Sequence, residues 1–255
     1  MEPMSPAPPA ARRRALLGVE FDDISLAETV RQLLARPPSA RFAYVVTPNA
    51  DHIVRLWRIL ALRPVYQRAM FCLLDSKFIS LCAGRLGMAY PPVVTGADLT
   101  AALLPMLRGQ RVAVIGMAPA AFKMLAARYP DVEFLHHAPP MGLLHYFPAF
   151  AAARDFACAS RAAFIFIALG SPVQEVLAHA IALRRESTGT GLCIGAGLAF
   201  CAGSAPRAPG WMRARGLEFL FRLALEPRRL AGRYLLDCPW VLAGLLSAAW
   251  VQKRR

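Results

Sequence analysis

The residues whose types are best suited to chemistry lie at 168–175, where the sequence is Ala-Leu-Gly-Ser-Pro-Val-Gln-Glu. An apolar run at 163–169 predicts a buried strand, and Gln174 and Glu175 start the helix predicted after it. The amide and the carboxylate therefore belong at the carboxyl end of a strand, where open α/β sheets bind ligands. A Gly-Ala-Gly sequence at 195–197 ends a later apolar run. The sequence thus predicts a ligand site at one edge of a parallel sheet.

Polar residues follow two further apolar runs. Thr47 and Asn49 come after the run at 42–46, and Asp75 ends another apolar stretch. A hydroxyl and an amide can bind a ligand there, and a carboxylate beside a reacting hydroxyl can act as a general base. The same residues also suit helix N-caps, as does the Thr-Gly-Ala-Asp sequence at 95–98. The residue types leave both interpretations open.

The glycines give a weaker signal. Gly116 ends the apolar run at 111–115 and would let the backbone approach a ligand closely. The glycine pair at 195–197 lacks the third glycine of a dinucleotide fingerprint and follows the last predicted strand, so NAD binding is poorly supported. The sequence contains no Walker loop, no H-E-x-x-H, no G-x-S-x-G and no D-x-D motif. We therefore predict neither a metal nor a cofactor.

Predicted strands alternate with predicted helices along most of the chain. The strands are predicted at 42–46, 111–115, 163–169 and 191–194, and the helices at 25–35, 50–62, 97–107, 118–128 and 173–185. Strand followed by helix, repeated, is typical of a parallel sheet covered on both faces. The predicted fold class is α/β, with a Rossmann-like, mostly parallel sheet and a C-terminal helical appendage.

The two ends of the chain differ from this core. Residues 1–14 are rich in Pro, Ala and Arg and predict a disordered leader, which leaves 15–205 as the core. Residues 206–255 predict the appendage, with a helix at 217–225 whose apolar stripe lies beside basic residues, and with a further helix starting at Pro227. Such a segment suits active-site closure and docking on an anionic membrane surface.

Charge and composition narrow the functional class. The net charge is +14, and 205–255 holds ten Arg or Lys against three acidic residues, which favours phosphate-bearing partners. No apolar run reaches the roughly 18–20 residues of a membrane span, and the six cysteines form no C-x-x-C pair, which indicates the reducing cytoplasm. A nonenzymatic nucleic-acid-binding protein would need aromatic residues interleaved with basic ones, and none are found. A nucleotide-dependent oxidoreductase on the same fold is the other alternative.

Several motifs, in order along the chain, resemble the bacterial WecG/TagA/CpsF glycosyltransferase family. The resemblance covers about 19–239 and rests on T-P-N at 47–49, the aspartate at 75, T-G-x-D-L at 95–99, V-x-x-x-G at 112–116, G-S-P-x-Q-E at 170–175, G-x-G at 195–197, R-A-P-x-W at 207–211 and G-L-E-x-L-x-R-L-x-x-E-P-R-R-L at 216–230. The block from 207 to 230 is the most specific part.

The resemblance implies an inverting transfer of a sugar from a UDP-sugar to a saccharide carried on undecaprenyl diphosphate. The donor sugar would be of the glucose, N-acetylmannosamine or uronic acid type, and the product a polysaccharide precursor. The enzyme would be cytoplasmic and peripheral on the inner face of the plasma membrane, without a cofactor or nucleic acid. Relatives also suggest a homo-oligomer, although the sequence shows no readable interface pattern.

The same resemblance assigns roles to individual residues. Asp75 would be the catalytic base that deprotonates the acceptor hydroxyl, and Gln174 would contact the donor. Substrate binding is assigned to Thr47, Asn49, Gly96, Asp98, Gly116, Gly170, Pro172, Gln174, Glu175, Gly195, Gly197, Arg207, Arg222, Arg229 and Arg233. The four arginines are expected to close over the site and neutralise a diphosphate, for which the bidentate guanidinium is suited.

Two positions depart from the family pattern. Val93 stands where relatives commonly carry an arginine, and Ala199 stands where many carry Asp or Asn. Both positions are expected to affect how the sugar donor is bound. The Asp-Ser pair at 75–76 and the sequence at 51–56 are similar to the exopolysaccharide branch, which slightly favours a glucosyl donor.

Overall fold

The computed structural model describes residues 12–228 and 237–253. A six-stranded parallel sheet forms its centre. The chain begins with an antiparallel hairpin of two strands, β1 (Arg13–Leu16) and β2 (Val19–Asp22). The strands of the central sheet follow and are, in chain order, β3 (Ala43–Val46), β4 (Phe71–Cys72), β5 (Arg111–Gly116), β6 (Glu133–His137), β7 (Phe164–Ala168) and β8 (Thr190–Cys193). Their order in the sheet is β4-β3-β8-β7-β5-β6, and every neighbouring pair is parallel.

Helices cover both faces of the sheet. They are α1 (Leu26–Leu34), α2 (Ala50–Arg58), α3 (Arg63–Gln67), α4 (Lys77–Arg85), α5 (Gly96–Leu103), α6 (Pro119–Arg128), α7 (Phe147–Ser160), α8 (Val173–Ala182), α9 (Gly197–Ala202), α10 (Gly210–Ala214), α11 (Glu218–Leu225) and α12 (Cys238–Lys253). One core layer joins the sheet to α2, α3, α4, α7, α8 and α12, and the other joins it to α1, α5, α6 and α9. The predicted α/β fold is confirmed.

The strands found from the sequence are those whose side chains are buried on both faces. Phe164, Ile165, Phe166 and Ile167 of β7 are all buried between the two layers of helices, as expected for a central parallel strand. The strand β6 was not predicted, because its sequence Glu-Phe-Leu-His-His is polar and it lies at the edge of the sheet. The two-residue strand β4 and the helix α7 were also missed, whereas α12 lies within the C-terminal helical appendage that the sequence predicts.

The order of the strands opens a crevice between β3 and β8. After β3 the chain continues into α2 on one face, whereas after β8 it continues into α9 on the other face. Because the two connections diverge, the carboxyl ends of these neighbouring strands are left accessible. This crevice lies next to the end of β4, which pairs with the opposite side of β3.

The C-terminal helix packs on the same side as α2. In α12, Val241 and Leu245 are buried against α2 and α4. Gly244 permits this approach, since a Cβ there would lie 2.8 Å from the ring of Trp57. Among the helices of the described ranges, none is both long and apolar enough to reach across a bilayer.

Candidate active site

A cleft of about 430 Å³ lies at the carboxyl ends of β3, β4 and β8. Its wall on the core side includes Asn49, Asp75 and Asp98, and the opposite wall comes from α10 and α11, including Arg213 and Phe219. The residues after three neighbouring strands therefore meet one face of the appendage. Polar groups of the predicted site and an apolar ring face the same space, as is usual for small-molecule sites.

Asp75 is held with its carboxylate in the cleft. Its Oδ2 accepts a hydrogen bond of 3.0 Å from the backbone N–H of Gly96, the first residue of α5, and its own N–H donates to Pro48 O at 3.0 Å. The N-cap of α4 is the neighbouring residue, Ser76, whose Oγ accepts from the N–H of Ile79. Asp75 is thus oriented towards the cleft.

Thr47 and Asn49 have different positions. Thr47 is buried, and its hydroxyl donates to Cys193 O at 3.2 Å, so it joins the ends of β3 and β8. Asn49 lines the cleft and is also the N-cap of α2, where its Oδ1 accepts from the N–H of Asp51 and His52. Both interpretations of Asn49, as a cap and as a site residue, are therefore compatible with its placement.

The glycines around the cleft allow close packing of the helices that form it. A Cβ on Gly96 would lie 3.1 Å from Thr47 Oγ1, and one on Gly197 would lie 2.6 Å from Thr100 Oγ1. Gly195 has a φ of +52° and donates its N–H to Gln174 Oε1 at 3.0 Å. Gly197 also lines the cleft.

Gln174 and Glu175 lie beneath the floor of the cleft. Gln174 is 4% exposed and Glu175 is 1% exposed, and Gln174 Nε2 donates to Glu175 Oε1 at 2.8 Å. His52 Nε2 lies 3.3 Å from the same carboxylate oxygen. Burial raises the pKa of Glu175, but the hydrogen bond and charge of His52 and the hydrogen bond of Gln174 outweigh it, so this pKa lies below its ordinary value.

His52 was not predicted from the sequence. The available signal was its spacing, three residues after the cap Asn49, which places its ring beside that side chain. A histidine inside an amphipathic helix is usually a packed core residue, so this spacing alone could not distinguish the two roles.

Three of the predicted site residues lie at the ends of β5 and β7 rather than among the residues that line the cleft. Gly116 has a φ of +99°, and a Cβ there would lie 2.5 Å from Ala168 O, so the position requires glycine. Gly170 and Pro172 belong to the turn before α8, where the Ser171–Pro172 peptide is cis. Arg55 on α2 donates to Ser171 Oγ at 2.7 Å and connects this turn to the cleft helix.

Asp98 and Arg207 form an ion pair at the start of α5. Arg207 Nη2 donates to Asp98 Oδ1 at 2.5 Å, and Thr95, the N-cap, donates to the other carboxylate oxygen at 2.8 Å. Burial raises the pKa of Asp98, but these hydrogen bonds and the charges of Arg207 and Arg213 outweigh it and keep the pKa below its ordinary value. Arg207 also lies 3.8 Å from Glu218 of α11, so it joins the core to the appendage.

Two cationic residues that sequence reasoning did not select line the cleft. They are Lys77, at the first position of α4, and Arg213 of α10. Lys77 Nζ donates to the backbone oxygen of Arg213 at 2.6 Å, and Arg213 Nε donates to Ala208 O at 3.1 Å. The two side chains place positive charge in the wall of the cleft, and Arg213 Nη1 lies 3.9 Å from Asp98 Oδ1.

The other predicted arginines have no described side-chain position. Arg222 belongs to α11, while Arg229 and Arg233 lie outside the described residues, as does most of the helix predicted from Pro227. Their roles stay predictions. Within 12–228 and 237–253, no three or more His, Cys, Asp or Glu side chains converge in a way that could hold a metal ion.

Comparison with known proteins identifies the family. A scan against protein families matches residues 14–255 to the glycosyl transferase WecG/TagA/CpsF family, which is nearly the whole chain. A search of curated proteins gave no match. Because the family match extends across the sheet, the cleft and the appendage, the chain belongs to the WecG/TagA/CpsF family of glycosyltransferases and is an enzyme of polysaccharide biosynthesis.

Proposed function

We propose that the protein is an inverting glycosyltransferase that moves a sugar from a UDP-sugar to a saccharide on a prenyl diphosphate, with the reaction taking place in the cleft beside Asp75. The observation that carries the proposal is the placement of the Asp75 carboxylate, fixed by Gly96 N–H and lining the cleft. A carboxylate held in this way can take the proton of an attacking alcohol.

The reaction balances with the groups in the cleft. The acceptor oxygen forms a bond to the anomeric carbon while the bond from that carbon to the β-phosphate oxygen breaks, which inverts the configuration. The proton of the acceptor hydroxyl passes to Asp75, and UDP leaves with the negative charge. Lys77 and Arg213 supply positive charge in the same wall, and cations fixed where charge develops stabilise the transition state.

The four predicted arginines are compatible with this scheme, but the contacts of Arg207 indicate a different role for that residue. Arg207 is engaged by Asp98 and approaches Glu218, and its guanidinium lies 5.9 Å from the ring of Phe200. This arrangement supports a role in holding the appendage over the cleft. Contact of Arg222, Arg229 and Arg233 with the diphosphate is proposed from the family resemblance alone.

The donor sugar is proposed to be of the glucose, N-acetylmannosamine or uronic acid type. Val93 forms a parallel bridge with Leu74, directly before Asp75. An arginine of the family pattern would thus stand close to the catalytic carboxylate, and its replacement removes one cation from this side of the cleft. Ala199 lies in α9, whose first residue lines the cleft.

Attachment to the inner face of the plasma membrane is proposed because the acceptor is lipid-linked. The appendage helices support it with exposed apolar side chains, namely Leu220, Leu225, Trp240, Leu242, Leu246 and Trp250. Apolar side chains beside basic ones suit the interface of an anionic bilayer. The homo-oligomer remains a prediction.

The test is the Asp75→Asn variant, assayed for transfer from UDP-sugars to a prenyl-diphosphate-linked saccharide. Loss of the base should lower the turnover about 10²–10⁴-fold, with the melting temperature nearly unchanged. Asp131→Asn is the matched control, because Asp131 is an exposed aspartate paired with Arg108 away from the cleft. Wild-type turnover in Asp75→Asn would refute the assignment of the base.

A further inference from the structure

A buried pair of hydrogen bonds connects α8 to the loop between β8 and α9. Glu175 Oε1 accepts from Gln174 Nε2 at 2.8 Å, and Gln174 Oε1 accepts from the N–H of Gly195 at 3.0 Å. Both side chains are buried, and neither is among the residues that line the cleft. The loop does line it, through Ile194 and Ala196. Gln174 and Glu175 therefore act on the cleft through this loop.

The two hydrogen bonds fix the orientation of the Gln174 amide. A backbone N–H can only donate, so the amide atom that faces Gly195 is the oxygen. The NH2 group then faces the other way, where the carboxylate of Glu175 accepts from it. With a donor on one side and an acceptor on the other, one amide orientation makes both bonds. Buried polar groups whose bonds are all made in this way are held rigidly.

The loop that receives this support has a tight turn. Gly195 has a φ of +52°, in the left-handed region, and the N–H of Gly197 closes the turn by donating to Ile194 O at 3.0 Å. The bond from Gly195 to Gln174 attaches the turn to α8. Since α8 packs on β3 and β8, the turn is fixed to the strands whose ends form the cleft.

The opposite side of the loop packs against the residue that holds Asp75. A Cβ on Gly96 would lie 3.2 Å from both the Cα and the carbonyl oxygen of Ile194, so the two backbones are in close contact. The N–H of Gly96 donates to Asp75 Oδ2 at 3.0 Å. The loop is thus held between Gln174 on one side and Gly96 on the other. A shift of the loop would change the place of this wall of the cleft relative to the Asp75 carboxylate.

We propose that Gln174, oriented by Glu175, is a positioning residue that holds the loop at 194–197 in a fixed place relative to Asp75 and so aligns the substrates for sugar transfer. The inference rests on the proposed function, since it takes Asp75 to be the base. It differs from the role that the family resemblance implies, in which Gln174 contacts the donor. Alignment of reacting groups is sensitive to small shifts, and a misplacement of about 1 Å can lower a rate about 10²-fold.

Gln174→Met removes both hydrogen bonds and keeps a side chain of similar length. At a temperature well below unfolding, kcat should fall about 10²-fold because the loop is no longer held in place. The amide hydrogen of Gly195 should also exchange faster with deuterium. The matched control is Ser160→Ala, because Ser160 is buried and its Oγ accepts from the N–H of Ala162 at 3.3 Å in the loop before β7, at the opposite end of the sheet. This control should leave kcat and the exchange of Gly195 unchanged.

Exchanging the two residue types separates positioning from substrate contact. Gln174→Glu alone brings a second carboxylate against Glu175, and the repulsion of like charges separates the two side chains. In the double variant Gln174→Glu with Glu175→Gln, the new carboxylate can accept from the N–H of Gly195 and from the new amide. The double variant should have a kcat at least about tenfold above that of Gln174→Glu, the size of one net hydrogen bond. An amide that contacts the donor directly would not be replaced by this exchange.

The measurements give results that separate this inference from the proposed function. Wild-type kcat in Gln174→Met, or a double variant that is as stable as the wild type but no more active than Gln174→Glu, overturns the inference. If the double variant does not fold, the exchange of Gly195 decides: faster exchange in Gln174→Met supports the inference, and unchanged exchange overturns it. If the wild-type protein transfers no sugar, the proposed function fails, and the same exchange data still show whether Gln174 holds the loop.

Discussion

The ion pair between Arg207 and Asp98 should couple the appendage to the core, and a double-mutant cycle of Arg207→Met and Asp98→Asn measures it. The Arg207 side chain is 19% exposed and the Asp98 side chain 34% exposed, and the two charged groups are 2.5 Å apart. Hydrogen bonds to charged groups contribute about 1.5–3 kcal/mol, and exposed pairs about 0.2–1 kcal/mol. This partly screened pair should therefore contribute about 1.5 kcal/mol of coupling in urea unfolding at pH 7.

The pH dependence of this coupling has a defined sign. The pKa of Asp98 in the folded protein lies below its ordinary value of 3.8. The pair therefore stabilises the fold fully above that value, and the contribution is lost as the pH falls through the folded-state pKa. The stability difference between wild type and Asp98→Asn should stay nearly constant from about pH 7 down to the ordinary pKa of 3.8 and narrow as the pH is lowered further.

A matched cycle shows whether the coupling depends on burial. Arg108 and Asp131 form a pair at 2.7 Å with side chains that are 77% and 55% exposed. The cycle of Arg108→Met and Asp131→Asn should give less than about 0.5 kcal/mol. Equal coupling in the two cycles, or coupling below about 0.3 kcal/mol for Arg207 and Asp98, would refute the idea that this pair holds the appendage to α5.

Two further predictions concern packing and membrane contact. Gly197→Ala should lower the free energy of unfolding in urea by about 1–3 kcal/mol, because its Cβ would lie 2.6 Å from Thr100 Oγ1. The control Gly170→Ala, with open space around that position, should lower it by less than about 0.5 kcal/mol. Equal losses of stability in the two variants would contradict the packing argument. Leu245→Ala should lower the free energy of unfolding by about 2–4 kcal/mol, because this leucine of α12 is fully buried. Leu246→Ala, at a half-exposed position, should leave the melting temperature unchanged and weaken binding to anionic liposomes. Unchanged liposome binding would show that Leu246 does not contact the membrane surface.

Most of the sheet could be predicted because central parallel strands are continuous apolar runs. The sequences of β7 and β5 are of this kind, and a glycine ends β5. The edge strand β6 carries two histidines and a glutamate and has no such run. Helix α12 is apolar around most of its circumference, so it shows no periodic stripe, and its packing depends on the ring of Trp57, which is distant in sequence.

The placement of a candidate site residue could be predicted only where its position at the end of a strand is enough to bring it to the cleft. Asp75 and Asn49 follow strands that end at the cleft, and both line it. Gln174 and Glu175 follow a strand as well, but their side chains turn beneath the floor, which depends on the rotation of α8 against β8. Lys77 and Arg213 come from elements that meet only in three dimensions, so no spacing in the sequence relates them.

The place where the donor binds decides whether sugar transfer occurs in this cleft. Hydrogen exchange of the wild-type protein with and without UDP should show protection in the segments that line the cleft, at 49–51, 75–78, 95–98 and 194–197. Protection confined to other parts of the sheet, such as the exposed edge of β6, or no protection at saturating UDP, would contradict the assignment of this cleft as the site of sugar transfer.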